Sequence, residues 1–170
     1  MLIAMAGLPA AGKSSIAAGV GGALAYPVVS VDPIEAALRR SGIDRGQPTG
    51  LAAYLVAEAV ADGILALGQT VIVDAVNAVE PARLQWRALA ARHRVRLAVI
   101  EVVCSSSELH RRRLEARDRG IEGFAEPTWE DVERVRAEYQ PWTDRRLVLD
   151  SVAELSGNVK QALEFIAGLR

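Results

Sequence analysis

The first sixteen residues leave this chain little freedom in how it folds. Met1 to Ala6 is an unbroken apolar run of strand length, without the polar alternation of a half-exposed strand. It therefore reads as a strand of a parallel sheet, buried on both faces. Gly7-Leu8-Pro9-Ala10-Ala11-Gly12-Lys13-Ser14 follows at the spacing G-x-x-x-x-G-K-S, and Ser15-Ile16-Ala17-Ala18-Gly19-Val20 can open a helix. Strand, glycine-bounded loop and helix form the setting in which that spacing binds phosphate. The glycines allow backbone N–H groups to turn inward around an anion, and the helix start adds the positive end of its dipole. Residues Gly7 through Ser15 are thus expected to cradle a nucleoside triphosphate. Lys13 would reach its β- and γ-phosphates, and the Ser14 hydroxyl would ligate Mg²⁺. The chain has only two lysines, Lys13 and Lys160, and one of them fills the motif. Chance would produce such a match about one time in a thousand from these residue frequencies.

The remaining composition narrows the rest. A chain of 170 residues is one domain, 1–170, with room for a real core. Its net charge of -1 gives no reason to expect a general nucleic-acid or membrane binder. Eighteen of the twenty basic residues are arginine, which favours two-pronged grips on phosphate over point charges. Cys104 has no second cysteine to pair with and reads as a small buried thiol at the end of a strand. His93 and His110 lack ligand spacing and read as helix-surface residues. The apolar start has no basic leader, and no run approaches eighteen apolar residues, so the expected compartment is the cytoplasm.

Strands and helices alternate along the chain, which predicts a parallel sheet covered on both faces. Pro27 to Val31 is a second strand, followed by a helix to about Arg40 with Asp32 as its expected N-cap. A loop from Ile43 to Gly50 leads to an alanine-rich helix near Leu51 to Leu67, which Thr49 would cap. Thr70 to Asp74 is the third strand, and Pro81 opens a helix over Ala82 to His93. Val95 to Cys104 is the fourth strand. Ser105 and Glu108 read as a capping box for a helix over Ser106 to Asp118. Gly120 and Gly123 bracket a break before a helix from Thr128 to about Tyr139; a strand from Arg146 to Asp150 and a last helix from about Ser156 follow.

Ligands of a parallel α/β sheet sit beyond the carboxyl ends of its strands. Gly7, Asp32 and Asp74 each close a strand and so fall in one place. Asp74, after Val71-Ile72-Val73, is placed to hold Mg²⁺ directly or through water. Asp32 has two readings: a helix cap, or a carboxylate that takes a proton from an acceptor hydroxyl. The arginines at 111, 112, 113, 117 and 119 also have two, a solvated basic face paired with Glu108 and Glu115, or a lid that brings charge to a transferring phosphoryl group. Trp86, Trp129 and Trp142 read mainly as packing, with stacking on a base or acceptor open for Trp129 and Trp142, which flank the lid segment.

From Met1 to about Asp150 the pattern resembles the P-loop kinase family, in the AAA_33-like branch that includes polynucleotide kinase, zeta toxin and chloramphenicol phosphotransferase. Val71-Ile72-Val73-Asp74-Ala75-Val76-Asn77 with Arg83, Trp86 and Arg87 is similar to polynucleotide kinase; Val31 to Leu38 is similar to the antibiotic phosphotransferases. The resemblance implies a three-layer α/β P-loop NTPase fold, five parallel strands in the order 2-3-1-4-5, and a helical lid near 113–127. It implies Asp32 as general base, with Lys13 and Ser14 on the phosphates and Mg²⁺, and Arg113 and Arg117 in the lid with Arg117 on the nucleotide. The expected activity is transfer of the γ-phosphoryl group of ATP, with Mg²⁺, to a hydroxyl of a nucleoside-, sugar- or antibiotic-like molecule. Arg39, Arg40, Asn77 and Arg83 are candidate acceptor contacts. The alternatives are a polynucleotide 5′-hydroxyl kinase, for which a neutral chain offers little basic groove, and an ATP-binding switch without acceptor. A monomer or homodimer is expected.

Overall fold

The computed structural model describes residues 1–43, 47–118, 120–121 and 126–169. Its elements run β1 (Leu2–Ala6), α1 (Lys13–Leu24), β2 (Val28–Ser30), α2 (Val31–Arg40), α3 (Thr49–Ala66), β3 (Val71–Asp74), α4 (Glu80–Arg92), β4 (Leu97–Val103), α5 (Ser107–Glu115), α6 (Trp129–Glu138), β5 (Arg146–Asp150) and α7 (Leu155–Ala167). Every strand pair is parallel, and the order is β2-β3-β1-β4-β5, as expected.

Side-chain alternation along β1 explains the three layers. Leu2 and Ala4 point to one face and pack with Val71 and Val73 against α3 and α4 through Ala53, Ala57, Ala61, Trp86 and Leu89. Ile3 and Met5 point to the other and pack with Ile72 and Ile100 against α1 and α7 through Ile16, Val20, Ala162 and Ile166. All five β1 residues are buried, so the run needs no polar alternation. Burying each large side chain contributes about 1.5–3 kcal/mol.

Helix α3 reaches a mean hydropathy of 1.4 over 18 residues, and by length and composition it would be long enough to cross a membrane. Here it lies on the sheet through Ala53, Ala57, Ala61 and Leu65 at four-residue spacing, small side chains that admit a close approach.

Several local expectations shift. The N-cap position of α2 is Ser30, so Asp32 is a residue inside the first turn and not the cap. Thr49 is likewise inside α3; its hydroxyl donates to Glu35 Oε1 at 2.9 Å instead of capping. Ser106, not a Ser105–Glu108 box, caps α5 by accepting from the Leu109 N–H, and α5 stops at Glu115, short of Asp118. At α6 the box does form, between Thr128 and Asp131. Gly46, Arg119 and Gly123 lie outside the described residues, as does part of the expected lid.

Candidate nucleotide and phosphoryl-transfer site

The loop after β1 owes its shape to two glycines. Gly7 has φ 131°, and a Cβ there would lie 2.1 Å from the Val102 carbonyl oxygen, inside the neighbouring strand. Gly12 has φ 101° and passes within 3.2 Å, at its notional Cβ, of the Ser151 Cβ at the end of β5. Ala10 takes a left-handed φ of 60°, a conformation that costs a side-chain-bearing residue about 1–2 kcal/mol. Strain of that kind collects where a site is held in one geometry. Lys13 begins α1, is 7% exposed, and donates from Nζ to the Leu8 carbonyl at 2.9 Å, so the ammonium arches over the loop.

One expectation about the loop's surroundings is overturned. His110 is not on a helix surface: it is 1% exposed, and its Nε2–H donates to the Pro9 carbonyl at 2.7 Å. Its ring meets Trp129 edge-on at 5.4 Å. This bond ties α5 to the loop, and Arg113 projects one turn further along the same helix face. Burial, and to a smaller extent the charges of Arg136, Lys13 and Arg113, hold the His110 pKa below its ordinary value, against the pull of the Pro9 bond. The unfolded chain binds a proton near pH 6.5, whereas folded His110 resists it until lower pH. Its stabilising contribution is therefore complete above about pH 6.5 and is lost as pH falls below that. Denaturant midpoints measured from pH 7.5 to 5 should show this fall, and His110→Gln should flatten it relative to the parent.

Beside the loop lies a cavity of about 510 Å³, lined by residues that include Lys13, Ser14, Arg113, Arg117, Ser151, Ala153 and Leu155. Arg113 is aimed by Ser151, donating from Nη1 to its Oγ at 2.8 Å and from Nη2 to its carbonyl at 2.9 Å. Nothing in the sequence pattern flagged Ser151; its position just past β5 was the available signal. Arg117, beyond the end of α5, lines the same cavity and also lies between two carboxylates, Asp32 Oδ2 at 4.0 Å and Glu126 Oε2 at 3.6 Å.

The two strand-end aspartates differ in their surroundings. Asp32 is a third exposed. Asp74 is buried, and register places it beside Ser30, whose hydroxyl donates to Oδ2 at 3.3 Å. Oδ1 of Asp74 has no hydrogen-bond partner among the described residues. A buried carboxylate oxygen left unpaired is costly, and a hard cation is the partner its chemistry suits. Ser14, at the start of α1 beside Lys13, is the second candidate oxygen for such a cation. Tyr54 of α3, unmarked by sequence reasoning, accepts at its hydroxyl from the Asn77 N–H at 3.1 Å. Burial pushes its pKa up to about 12, and the nearby charges of Asp32 and Asp74 add to the rise.

Two acceptor candidates do other work. Asn77 is fully buried with φ 52°; its side chain donates to the Met5 carbonyl and accepts from Trp86 Nε1. Arg83 is 1% exposed, stacks 4.0 Å over Trp142, and donates to the carbonyls of Asn77, Ala78, Gln140 and Pro141. Asn77 fastens the segment after β3 to β1 and α4, and Arg83 fastens it to the segment before β5. Arg83→Leu should lower stability by about 2–3 kcal/mol in denaturant titration, since it strands several carbonyls. Arg39 remains on the rim of α2, paired with Glu35 at 2.6 Å. Cys104 is half-exposed, not buried, and its thiol donates to the Ser106 carbonyl at 3.4 Å. Arg111 pairs with Glu115 on the solvent face, as the plainer reading of the arginine cluster had it.

A parallel sheet of this order, with its phosphate-type loop at the end of the central strand and an orphaned carboxylate oxygen one strand away, defines a P-loop nucleotide-binding fold of the kinase type. The AAA_33 family model, described as an AAA domain, matches residues 2–142, and the chain belongs to that family. No curated protein matches the sequence. Among solved structures, Kti12 of Chaetomium thermophilum in complex with ADP-AlF3 is 20% identical, with TM-score 0.75 over 99% of this chain and 98% of that one. The Mycobacterium tuberculosis APS kinase CysC in complex with AMPPNP and APS is 18% identical, with TM-score 0.72 over 98% and 96%. A gluconokinase from Sinorhizobium meliloti 1021 is 20% identical, with TM-score 0.70 over 98% and 91%. At these identities the likeness is one of fold.

Proposed function

We propose that the protein is a Mg²⁺- and ATP-dependent kinase that phosphorylates a hydroxyl of a small molecule, working in the cytoplasm where both are at hand. The observation that carries this reading is the position of Arg117. It lines the cavity with Lys13 and Ser14 and also stands 4.0 Å from Asp32, so one guanidinium spans from the phosphate loop to a strand-end carboxylate. A switch that only binds nucleotide needs the first half of that arrangement; group transfer needs both.

In this reading the triphosphate enters the loop Gly7–Ser15, with its base over Ala153 and Leu155. Lys13 leaves the Leu8 carbonyl for the β- and γ-phosphate oxygens, and Arg113, held by Ser151, faces the same charge. Mg²⁺, when bound by Ser14 and Asp74, neutralises charge on those oxygens. Asp32 accepts the acceptor's hydroxyl proton as that oxygen bonds to the γ-phosphorus and the ADP oxygen departs. Arg117 closes on the equatorial oxygens, and Arg39 lies at the rim where an acceptor enters.

The test is transfer of label from γ-labelled ATP with Mg²⁺ to a pool of nucleosides, sugars, hydroxylated antibiotics and 5′-hydroxyl oligonucleotides. A labelled small molecule is the expected product. Label on the oligonucleotides alone would move the acceptor to nucleic acid, and free phosphate alone would overturn the kinase reading.

A further inference from the structure

The outward face of α3 carries a row that the fold does not use. Leu51, Leu55, Ala59, Gly63 and Leu67 recur every four residues and are all exposed, with Val56 and Val60 beside them. Leu51 is 60%, Leu55 55% and Leu67 77% exposed. No charged residue interrupts the row. Gly63 adds a second oddity, since a Cβ there would meet nothing within 4 Å and no positive φ requires glycine. A glycine inside a helix costs stability relative to alanine. Among the described residues nothing packs at Gly63 to repay that cost.

We propose that this face is the interface of a two-fold homodimer, in which α3 packs antiparallel against α3 of a second copy with Ala59 on the axis. The row is complementary to itself about that point. Antiparallel pairing sets Leu51 against Leu67 of the other copy and Leu55 against its Gly63, so each large side chain meets a notch or a terminal partner. Rows of i±4 residues are the ridges that interdigitate in the commonest class of helix crossing, and small residues at the centre let the helices approach closely. The area suits a pair: the five large side chains expose roughly 500 Å² per copy, and about 1,000 Å² for two copies is the lower bound for a specific interface. The complex is therefore expected to be reversible at micromolar concentration. Charge also argues for protein over lipid. The flank toward α4 carries Glu58 and Asp62 paired with Arg92 and His93, and α3 has no lysine or arginine for anionic headgroups. A two-fold axis lays that mixed-sign flank along its own copy, where Arg92 of each can face an acid of the other.

Sedimentation velocity of the full chain over a micromolar to sub-millimolar series should show a concentration-dependent dimer. Leu55→Glu should shift it at least tenfold toward monomer. Gly63→Leu should do the same while leaving the melting temperature of the dilute monomer unchanged or higher, because the notch is open within one chain and leucine favours helix. In a Cys104→Ser background, Ala59→Cys should cross-link to itself when diamide takes up the two electrons and two protons released. Leu51→Cys should cross-link only when mixed with Leu67→Cys. A monomer at all concentrations overturns the proposal. So does self-linking at position 51 without linking at 59, or a monomer that instead sediments with neutral lipid vesicles.

Discussion

Asp32→Asn should lower the rate of phosphoryl transfer by about 10²–10⁴-fold, the usual contribution of a positioned general base. ATP affinity should stay within about twofold, because the change keeps the side chain's size and lies away from the loop residues that grip phosphate. The site's layout supports that separation. Asp32 sits in the first turn of α2 beyond β2, whereas the nucleotide cavity is lined by α1, α5 and the turn after β5. Arg117 retains Glu126 at 3.6 Å when its other carboxylate is neutralised, so its guanidinium keeps an anchor. Lys13→Met is the informative contrast: it should weaken ATP binding and transfer together. Initial rates with saturating ATP, paired with calorimetric ATP binding, separate the two. Equal hydrolysis in parent and Asp32→Asn, with no acceptor labelled, would remove the base assignment and leave a nucleotide-hydrolysing switch.

What could be read from the sequence was local and periodic. The apolar run before Gly7, the glycine spacing and the Val71-Ile72-Val73 run placed β1, the loop and β3 because burial on both faces leaves no other pattern for a strand. The strand order came from family resemblance, since periodicity says nothing about which strand lies beside which. What stayed unread were partners that lie far along the chain. His110 finds Pro9 a hundred residues away, Arg83 finds carbonyls near 140, and Arg113 finds Ser151. Sequence spacing shows neighbours on one helix and is blind to such pairs. Asp32 failed as a cap for a smaller reason, because α2 begins two residues earlier than its Asp-Pro signal, directly at the end of β2.

Asp74→Asn should make the nucleotide-free protein more stable and the proposed phosphoryl transfer worse. Asp74 is 5% exposed, receives one hydrogen bond, from Ser30, and keeps Oδ1 unpaired among the described residues. A buried carboxylate in that condition destabilises the fold. Replacing it by the neutral amide should return about 1–3 kcal/mol, the cost range of a buried unsatisfied polar group. For a domain of this size each kcal/mol moves the melting temperature by about 2–4 °C, so a rise of several degrees is expected in differential scanning calorimetry without Mg²⁺ or ATP. The same change removes the anionic oxygen from the proposed Mg²⁺ donors Ser14 and Asp74, so the Mg²⁺ concentration for half-maximal transfer should rise by about tenfold or more. Ser30→Ala serves as the control. It deletes only the hydrogen bond, should lower stability slightly, and should leave the Mg²⁺ requirement nearly unchanged. The opposite pattern, a less stable Asp74→Asn protein with an unaltered Mg²⁺ requirement, would show that the carboxylate is part of the β2–β3 scaffold and that the cation is held elsewhere. A gain of stability with loss of the ion is what a site kept strained for its ligand predicts.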